Sequence, residues 1–106
     1  MIGLLVLFGK PLDAAEFDRY FEQEHFPLAA LLPGLQDIRV NRVVGAVEGV
    51  SGFHMVLQLG FDSAEELQNS LNSSAGQAMA RDYSNFASGG TELLICHLET
   101  SPMNAH

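Results

Sequence analysis

The sequence predicts one α+β domain, in which an antiparallel sheet is covered by helices on one side. Two observations lead to this prediction. Short apolar segments, typical of strands, alternate with segments whose apolar residues recur at helical spacing. The chain has 106 residues, which is enough for one domain and not for two. We expect residues 1–100 to form this domain and residues 101–106 to form a disordered tail.

The first strand is predicted at Ile2–Phe8, which is short and continuously apolar. A helix then begins at Asp13, because Glu16 follows three residues later, as in a capping box. Pro27 interrupts the hydrogen bonding of this helix. The helix should therefore end or kink near residues 25–26.

Two further strands are predicted at Leu35–Val44 and Phe53–Phe61, with a glycine-rich loop at Gly45–Gly52 between them. The strand at Phe53–Phe61 is the clearest in the chain, because large apolar residues occupy every second position. Together with the first helix, these strands form a β-α-β-β order.

The second helical region is divided into two helices. Ser63 and Glu66 have capping-box spacing at the start of one helix, and Ser74 and Gln77 have it at the start of the next. The last strand is predicted at Thr91–Leu98. The complete order β, α, β, β, α, β is that of a ferredoxin-like domain with a four-stranded antiparallel sheet.

The predicted sheet is apolar on both faces. In the first strand Leu4 and Val6 point to one face and Leu5 and Leu7 to the other, and the last strand repeats this pattern. One layer of helices covers only one face, and soluble monomers rarely expose a large apolar patch. We therefore expect two copies to pair through their sheets as a homodimer with a barrel-like core.

The charge of the chain excludes several partners. Acidic residues outnumber basic ones by 13 to 5, which gives a net charge of −8. Nucleic acids and anionic membrane surfaces require clustered basic residues, so neither is an expected partner. The one cysteine, Cys96, cannot form an intrachain disulfide, and the apolar start of the chain is too short to span a bilayer. These features predict a cytoplasmic location.

Several segments, taken in order, resemble the EthD family. Glu24–Ala29 (EHFPLA) resembles the family's histidine-x-proline-leucine motif at the end of the first helix. Pro33–Leu35 resembles the turn that follows this motif, and Asn85–Gly90 resembles the end of the last helix. The likeness extends over residues 2–99. The family is named after a protein associated with ethyl tert-butyl ether degradation in bacteria.

The resemblance implies the dimeric α/β-barrel superfamily. Its members include muconolactone isomerases, cofactor-free monooxygenases, polyketide cyclases and some haem proteins. Because one fold carries many chemistries, the resemblance specifies the fold and leaves the activity open.

His25 is the first candidate for catalysis. It follows Phe17 and Phe21 at spacings of eight and four residues, which places it on the inward face of the first helix. A histidine there can act as a general acid or base near neutral pH. The alternative is a histidine that only bonds a carbonyl group at the helix end. The resemblance favours catalysis, because His25 belongs to the family motif.

His54 and Tyr83 are the other candidates. If the side of the strand that carries His54 faces the helices, His54 can share a pocket with His25. If that side faces the dimer partner, the two histidines cannot meet in one monomer. The alternative to a functional role is a histidine that only pairs with a residue across the sheet. Tyr83 can orient a ligand oxygen or only bury its ring. Asp82, next to it, is expected to be solvated. The predicted pocket is lined by Phe17, Tyr20, Phe21, Met79 and Phe86.

No metal or nucleotide cofactor is expected. His25, His54 and His97 have no common metal-ligand spacing, there is no second cysteine, and no glycine-rich loop opens a helix. A haem protein with His25 or His54 as axial ligand is the least favoured of three functional hypotheses.

Two hypotheses about function are therefore favoured, one enzymatic and one non-catalytic, and both involve a small apolar or aromatic molecule. The first is an enzyme with cofactor-free acid–base chemistry at His25, of the isomerase, lyase, cyclase or monooxygenase type, in which His54 and Tyr83 hold oxygen atoms. The second is a non-catalytic binding protein or an accessory to an oxygenase, which an apparent scarcity of acid–base pairs favours.

Overall fold

The structure, a computed structural model, describes residues 1–101. The predicted tail therefore lies outside the described residues except for Ser101. The helices and strands follow one another in the order β1 (Ile2–Gly9), α1 (Ala14–Tyr20), a π-helical turn (Phe21–His25), α2 (Phe26–Ala30), β2 (Asp37–Arg42), β3 (Phe53–Phe61), α3 (Ala64–Asn72), α4 (Ser74–Phe86) and β4 (Thr91–His97).

The four strands form one sheet in the order β2–β3–β1–β4, and each neighbouring pair is antiparallel. This arrangement confirms the predicted ferredoxin-like α+β fold. The core lies between one sheet face and the helices. Its sheet residues are Leu4, Val6, Phe8, Met55, Leu57, Leu59 and Phe61, and its helix residues include Phe17, Phe21, Ala29, Leu67 and Met79.

The first helical region changes its hydrogen bonding where Pro27 was expected to interrupt it. The backbone N–H of Phe26 donates to the carbonyl of Phe21, five residues earlier, so one turn is π-helical. Pro27 has no N–H and stands in the first turn of α2. The helical path nevertheless continues to Ala30. A π turn contains an extra residue, so it changes which side chains face inward beyond it.

The two later helices begin at serine caps. Ser63 accepts a hydrogen bond from the backbone of Glu66, as predicted. The cap of α4 is Ser73, whose hydroxyl accepts from the N–H of Gly76, so the prediction of Ser74 was wrong by one residue. Gln77 instead donates its side-chain amide to the carbonyl of Asn72. The second strand is shorter than predicted by two residues at each end. The last strand is shorter than predicted by one residue, at its end.

A β-bulge at His54 in β3, opposite the end of β1, determines the direction of the His54 side chain. Phe8 pairs with Met55 and Gly9 pairs with Phe53, so His54 has no partner on β1. The His54 ring meets Phe17 of α1 edge-on, with 4.9 Å between ring centroids. His54 therefore faces the helices. Val56 and Gln58, which follow His54 at every second position of β3, lie on the opposite face of the sheet.

The edge strand β4 exposes apolar side chains on both faces. Leu93 and Ile95 pair with Val6 and Leu4, which lie on the helix side, yet they are 49% and 64% exposed. Leu94 lies on the opposite face and is 46% exposed. The prediction that apolar residues occupy both faces of the sheet is thus confirmed. Within residues 1–101, no helix combines the length and the apolar character needed to cross a bilayer.

Candidate functional site

His25 lies in a cage of aromatic rings between the first helical region, β1 and α4. The side chain has no exposed surface. Four rings surround it, with centroid distances of 4.7 Å to Phe86, 5.1 Å to Tyr83, 5.9 Å to Phe21 and 6.2 Å to Phe8. A molecule can reach His25 only if one of these rings moves.

Asp82 of α4 forms hydrogen bonds with the buried His25 and with the partly exposed Tyr20. Its Oδ2 lies 2.9 Å from His25 Nδ1, and its Oδ1 accepts hydrogen bonds from Tyr20 Oη at 2.6 Å and from Asn85 Nδ2 at 2.9 Å. Asp82 is only 7% exposed. The prediction that it is solvated was therefore wrong, because three donors from the protein replace water around its carboxylate.

A sequence signal for Asp82 did exist. Met79 precedes it by three residues and Phe86 follows it by four, and both have inward-facing side chains on α4. Residues at these spacings share one face of a helix. Asp82 therefore lies beside the inward stripe, close enough to α1 for the contact that was not predicted.

The pKa values indicate how the protons are arranged at neutral pH. Burial raises the pKa of Asp82, but hydrogen bonds from Tyr20, Asn85 and His25 outweigh burial and keep it below its usual value. Burial lowers the pKa of His25, and the bond to Asp82 opposes this only in part. Asp82 is therefore ionised and His25 neutral. The imidazole proton sits on Nδ1, facing the carboxylate, which leaves a lone pair on Nε2.

Two neighbouring polar atoms in the cage lack a hydrogen-bond partner among the described residues. They are His25 Nε2 and Tyr83 Oη, and both are buried. Burial raises the pKa of Tyr83 to about 12, so its phenol keeps its proton and can donate. A buried polar atom without a partner costs about 1–3 kcal/mol. The pair therefore combines an acceptor with a donor, both unused within the described chain.

A cleft between α1 and α4 lies outside this cage. It has a volume of about 250 Å³. Tyr20, Phe17 and Phe86, three of the residues predicted to line the pocket, do line it. Phe86 separates the cleft from His25, and Tyr20 stacks on Phe86 at 5.1 Å. Phe21 and Met79, the other two predicted lining residues, lie in the buried core. We call this cavity the α1–α4 cleft.

His54 forms a second histidine–aspartate pair. Its Nε2 lies 2.8 Å from Asp18 Oδ1. Phe17 contacts both His54 and Phe86, and Phe86 contacts His25. The two histidines therefore lie on the same side of the sheet with two aromatic rings between them. The expected scarcity of acid–base pairs was wrong, because residues 1–101 contain two histidine–aspartate pairs.

The side chains in residues 1–101 do not assemble a metal site. No group of three or more histidine, cysteine, aspartate or glutamate residues is placed to hold an ion in this range. A haem also fits poorly at His25, because aromatic rings enclose its side chain. Haem binding requires an axial nitrogen that faces an open slot.

Stability is expected to fall as the pH is lowered from about 6.5, the pKa of an unfolded histidine. The pKa of His25 is lower in the folded protein, so the unfolded chain binds more protons below this pH. One such group contributes at most about 1.4 kcal/mol per pH unit. Urea unfolding between about pH 7 and pH 5 should therefore give a steeper profile for the native chain than for His25→Gln. Parallel profiles would contradict the lowered pKa of His25.

Comparison with known proteins supports one family. The EthD domain model matches residues 9–90. A Rhodococcus erythropolis protein, an uncharacterized 11.0 kDa protein from the thcB-thcC intergenic region, is 29% identical over 100 residues, 94% of this chain and 97% of its own. The crystal structure of an ethyl tert-butyl ether d (EthD) family protein from Bacillus halodurans c-125 has a TM-score of 0.88 and 32% identity, covering 93% of this chain and 99% of that one.

More distant structures share the fold alone. The hydroxynitrile lyase from Passiflora edulis has a TM-score of 0.72 at 16% identity and covers 95% of this chain and 97% of its own. The family assignment instead depends on the EthD match, which spans most of the chain, and on the Bacillus structure. The chain therefore belongs to the EthD family.

Proposed function

We propose that this chain binds a small apolar or aromatic molecule between its helices and its sheet and performs cofactor-free acid–base chemistry at His25. One observation carries the proposal: His25 bonds an ionised Asp82 through Nδ1 and has a buried Nε2 without a partner among residues 1–101. A neutral imidazole held in this way is a suitable general base near neutral pH. Asp82 stabilises the imidazolium that forms when Nε2 takes a proton.

The substrate enters through the α1–α4 cleft. Five of the ten residues that line this cleft are aromatic or otherwise apolar, and Phe17, Tyr20 and Phe86 among them favour a ligand with an aromatic or apolar body. Its volume of about 250 Å³ suits a molecule of one or two rings. Rotation of the half-buried Phe86 joins the cleft to the cage and brings the ligand to His25 Nε2.

The chemistry begins with the removal of a proton from a carbon next to a carbonyl group. His25 Nε2 takes the proton, and the Tyr83 hydroxyl donates to the carbonyl oxygen as negative charge develops there. Return of the proton at another carbon completes an isomerisation. Loss of a neighbouring group gives a lyase reaction, and attack of the carbanion on a second carbonyl gives a cyclisation. Addition of the carbanion to dioxygen, followed by protonation, gives a hydroperoxide. Loss of water from this hydroperoxide, with the second hydrogen of the same carbon, leaves a new carbonyl group, so the substrate supplies the electrons and one oxygen atom leaves as water.

The first step can be tested before the natural substrate is known. Indanone, tetralone and similar aromatic ketones are incubated with the protein in deuterium oxide, and proton NMR follows exchange at the carbon next to the carbonyl. We expect the native chain to accelerate exchange for at least one ketone and His25→Gln to do so far less. Equal rates for the two proteins would exclude His25 as the base.

Replacement of Tyr83 by phenylalanine should affect stability and catalysis in opposite directions. The ring packing remains while a buried hydroxyl without a partner is removed, so the free energy of unfolding should stay constant or rise by about 1 kcal/mol. Loss of a donor to a developing oxyanion should slow exchange by about 100-fold. Urea unfolding and the ketone assay measure the two effects. A clear loss of stability would show that the hydroxyl has a structural partner.

A non-catalytic role in binding, or as an accessory to an oxygenase, is the second candidate. The complete burial of His25 favours it, because a core histidine bonded to an aspartate can be purely structural. In that case a bound ketone is recovered unchanged and without deuterium. Binding seen by native mass spectrometry together with no exchange would therefore favour this role.

We also propose that the protein is a homodimer paired through the sheet. Leu94 supports this, because it is 46% exposed on the sheet face opposite the helices, where a second copy would bury it. Native mass spectrometry should show a dimer, and Leu94→Asp should convert it to a monomer. Val47→Asp is the matched control, because Val47 is fully exposed in the loop between β2 and β3. A native chain that remains monomeric at assay concentration would contradict the proposal.

A further inference from the structure

A second cavity lies between the β2–β3 connection, residues 43–52, and the turn from β1 to α1. We call it the loop cleft. Its volume is about 450 Å³, larger than that of the α1–α4 cleft, and His54 is part of its lining. Phe17 lines the α1–α4 cleft and contacts the His54 ring, so this side chain stands between the two cavities. The loop cleft is therefore a separate place for a ligand.

Most side chains that line the loop cleft are apolar. Two of them, Val44 and Val50, are fully or almost fully exposed. Binding of a ligand that removes an exposed apolar side chain from water lowers the free energy. The other apolar side chains in the lining are Pro11, Ala14, Val43, Ala46 and Phe53. The cleft can thus bury the apolar body of a small molecule.

Lys10 adds one positive charge to this apolar lining. Among residues 1–101 no carboxylate forms an ion pair with Lys10, whereas Arg19, Arg39 and Arg42 each pair with an acidic side chain. The whole chain carries a net charge of −8, and Lys10 and Arg81 are the two basic side chains without an ion pair among residues 1–101. Of these two, only Lys10 lines the loop cleft. A single ammonium group matches a single negative charge on a ligand.

His54 supplies a fixed polar group in the same lining. The bond from Nε2 to Asp18 holds the ring, and Arg42 lies 3.6 Å from the same carboxylate oxygen. His54 Nδ1 makes no hydrogen bond within the described part of the chain, so it is available to a polar group of a ligand. The lining therefore combines apolar surface, one cation and one oriented imidazole.

We infer that the loop cleft is a second binding site and that it takes an amphipathic monocarboxylic acid. The apolar body lies against the valines and Phe53, and the carboxylate pairs with Lys10. A carboxylate suits the site better than a phosphate, because the cleft offers one positive side chain and no glycine-rich helix start. This site does not depend on the chemistry proposed at His25.

The test uses naphthoate as the probe and methyl naphthoate as its uncharged counterpart. Three proteins are compared by calorimetric titration: the native chain, Lys10→Met and Arg81→Met. The last is the matched control, because it removes the same charge from a residue that is outside the loop cleft and has no ion pair among residues 1–101. We expect Lys10→Met to weaken naphthoate binding by about 5- to 10-fold and to leave ester binding unchanged. Arg81→Met should bind both as the native chain does.

Amide chemical shifts locate the bound probe. Naphthoate should shift the signals of residues 43–54 and of Lys10 in the native chain. The inference is overturned if naphthoate does not bind at millimolar concentration, or if the shifts cluster at Tyr20 and Phe86 instead. It is also overturned if Lys10→Met and Arg81→Met weaken binding equally, because the effect would then reflect net charge and not a site.

Discussion

Replacement of His25 by glutamine is expected to slow proton transfer to or from a bound ketone by about 100- to 10,000-fold, the usual contribution of a general base. The glutamine amide can still donate to Asp82, which keeps the carboxylate paired, but it has no group that accepts a proton near neutral pH. Deuterium exchange followed by proton NMR measures the rate. Urea unfolding of the same variant shows whether the fold survives.

Two other histidines provide the controls for this experiment. His97 is exposed on β4, so His97→Gln should retain the native exchange rate. His54→Gln should also retain it if His25 is the base. If exchange is lost in His54→Gln and retained in His25→Gln, the general base is His54 and the reaction takes place in the loop cleft.

The fold could be predicted because its strands and helices carry strong local patterns. The apolar run of β1, the alternation of β3 and the caps of α1 and α3 lie at the predicted positions. The bulge at His54 could not be predicted in the same way. The bulge depends on how β1 and β3 align near Gly9. The alternation of side chains within one strand carries no information about its alignment with a neighbouring strand.

The candidate site was predicted in part for a similar reason. His25 could be placed inward from its spacing to Phe17 and Phe21, which belong to the same helical region. Its partner Asp82 lies 57 residues away on α4. A charged residue is normally expected in water. The packing of α4 against the first helical region supplies two of the three donors that keep this carboxylate buried, Tyr20 and His25, and the third, Asn85, belongs to α4 itself.

Asp82→Ala should be strongly destabilising, because the change leaves several groups in the interior without their acceptor. His25 Nδ1 is fully buried and loses its only hydrogen bond in the described structure, and Tyr20 Oη loses a bond of 2.6 Å. Removal of one member of a buried charged pair typically costs about 3–5 kcal/mol. We expect the lower end of this range, since His25 is neutral near pH 7. Urea unfolding measures the change, and Asp62→Ala, at an exposed aspartate, should change stability by less than about 0.5 kcal/mol.

Asp82→Asn separates the structural role of this residue from its positioning role. Tyr20 and Asn85 both donate to Oδ1, so we expect the amide oxygen of the variant to take this position and the amide nitrogen to face His25 Nδ1. His25 can accept from that amide only if its own proton moves to Nε2, which removes the lone pair required of a base. Much of the stability lost in Asp82→Ala should therefore return, while exchange stays about 10,000-fold slower, as expected for the wrong tautomer of a catalytic histidine. Recovery of both properties would show that Asp82 does not select the tautomer of His25, and recovery of neither would mean that its charge is required to hold the fold.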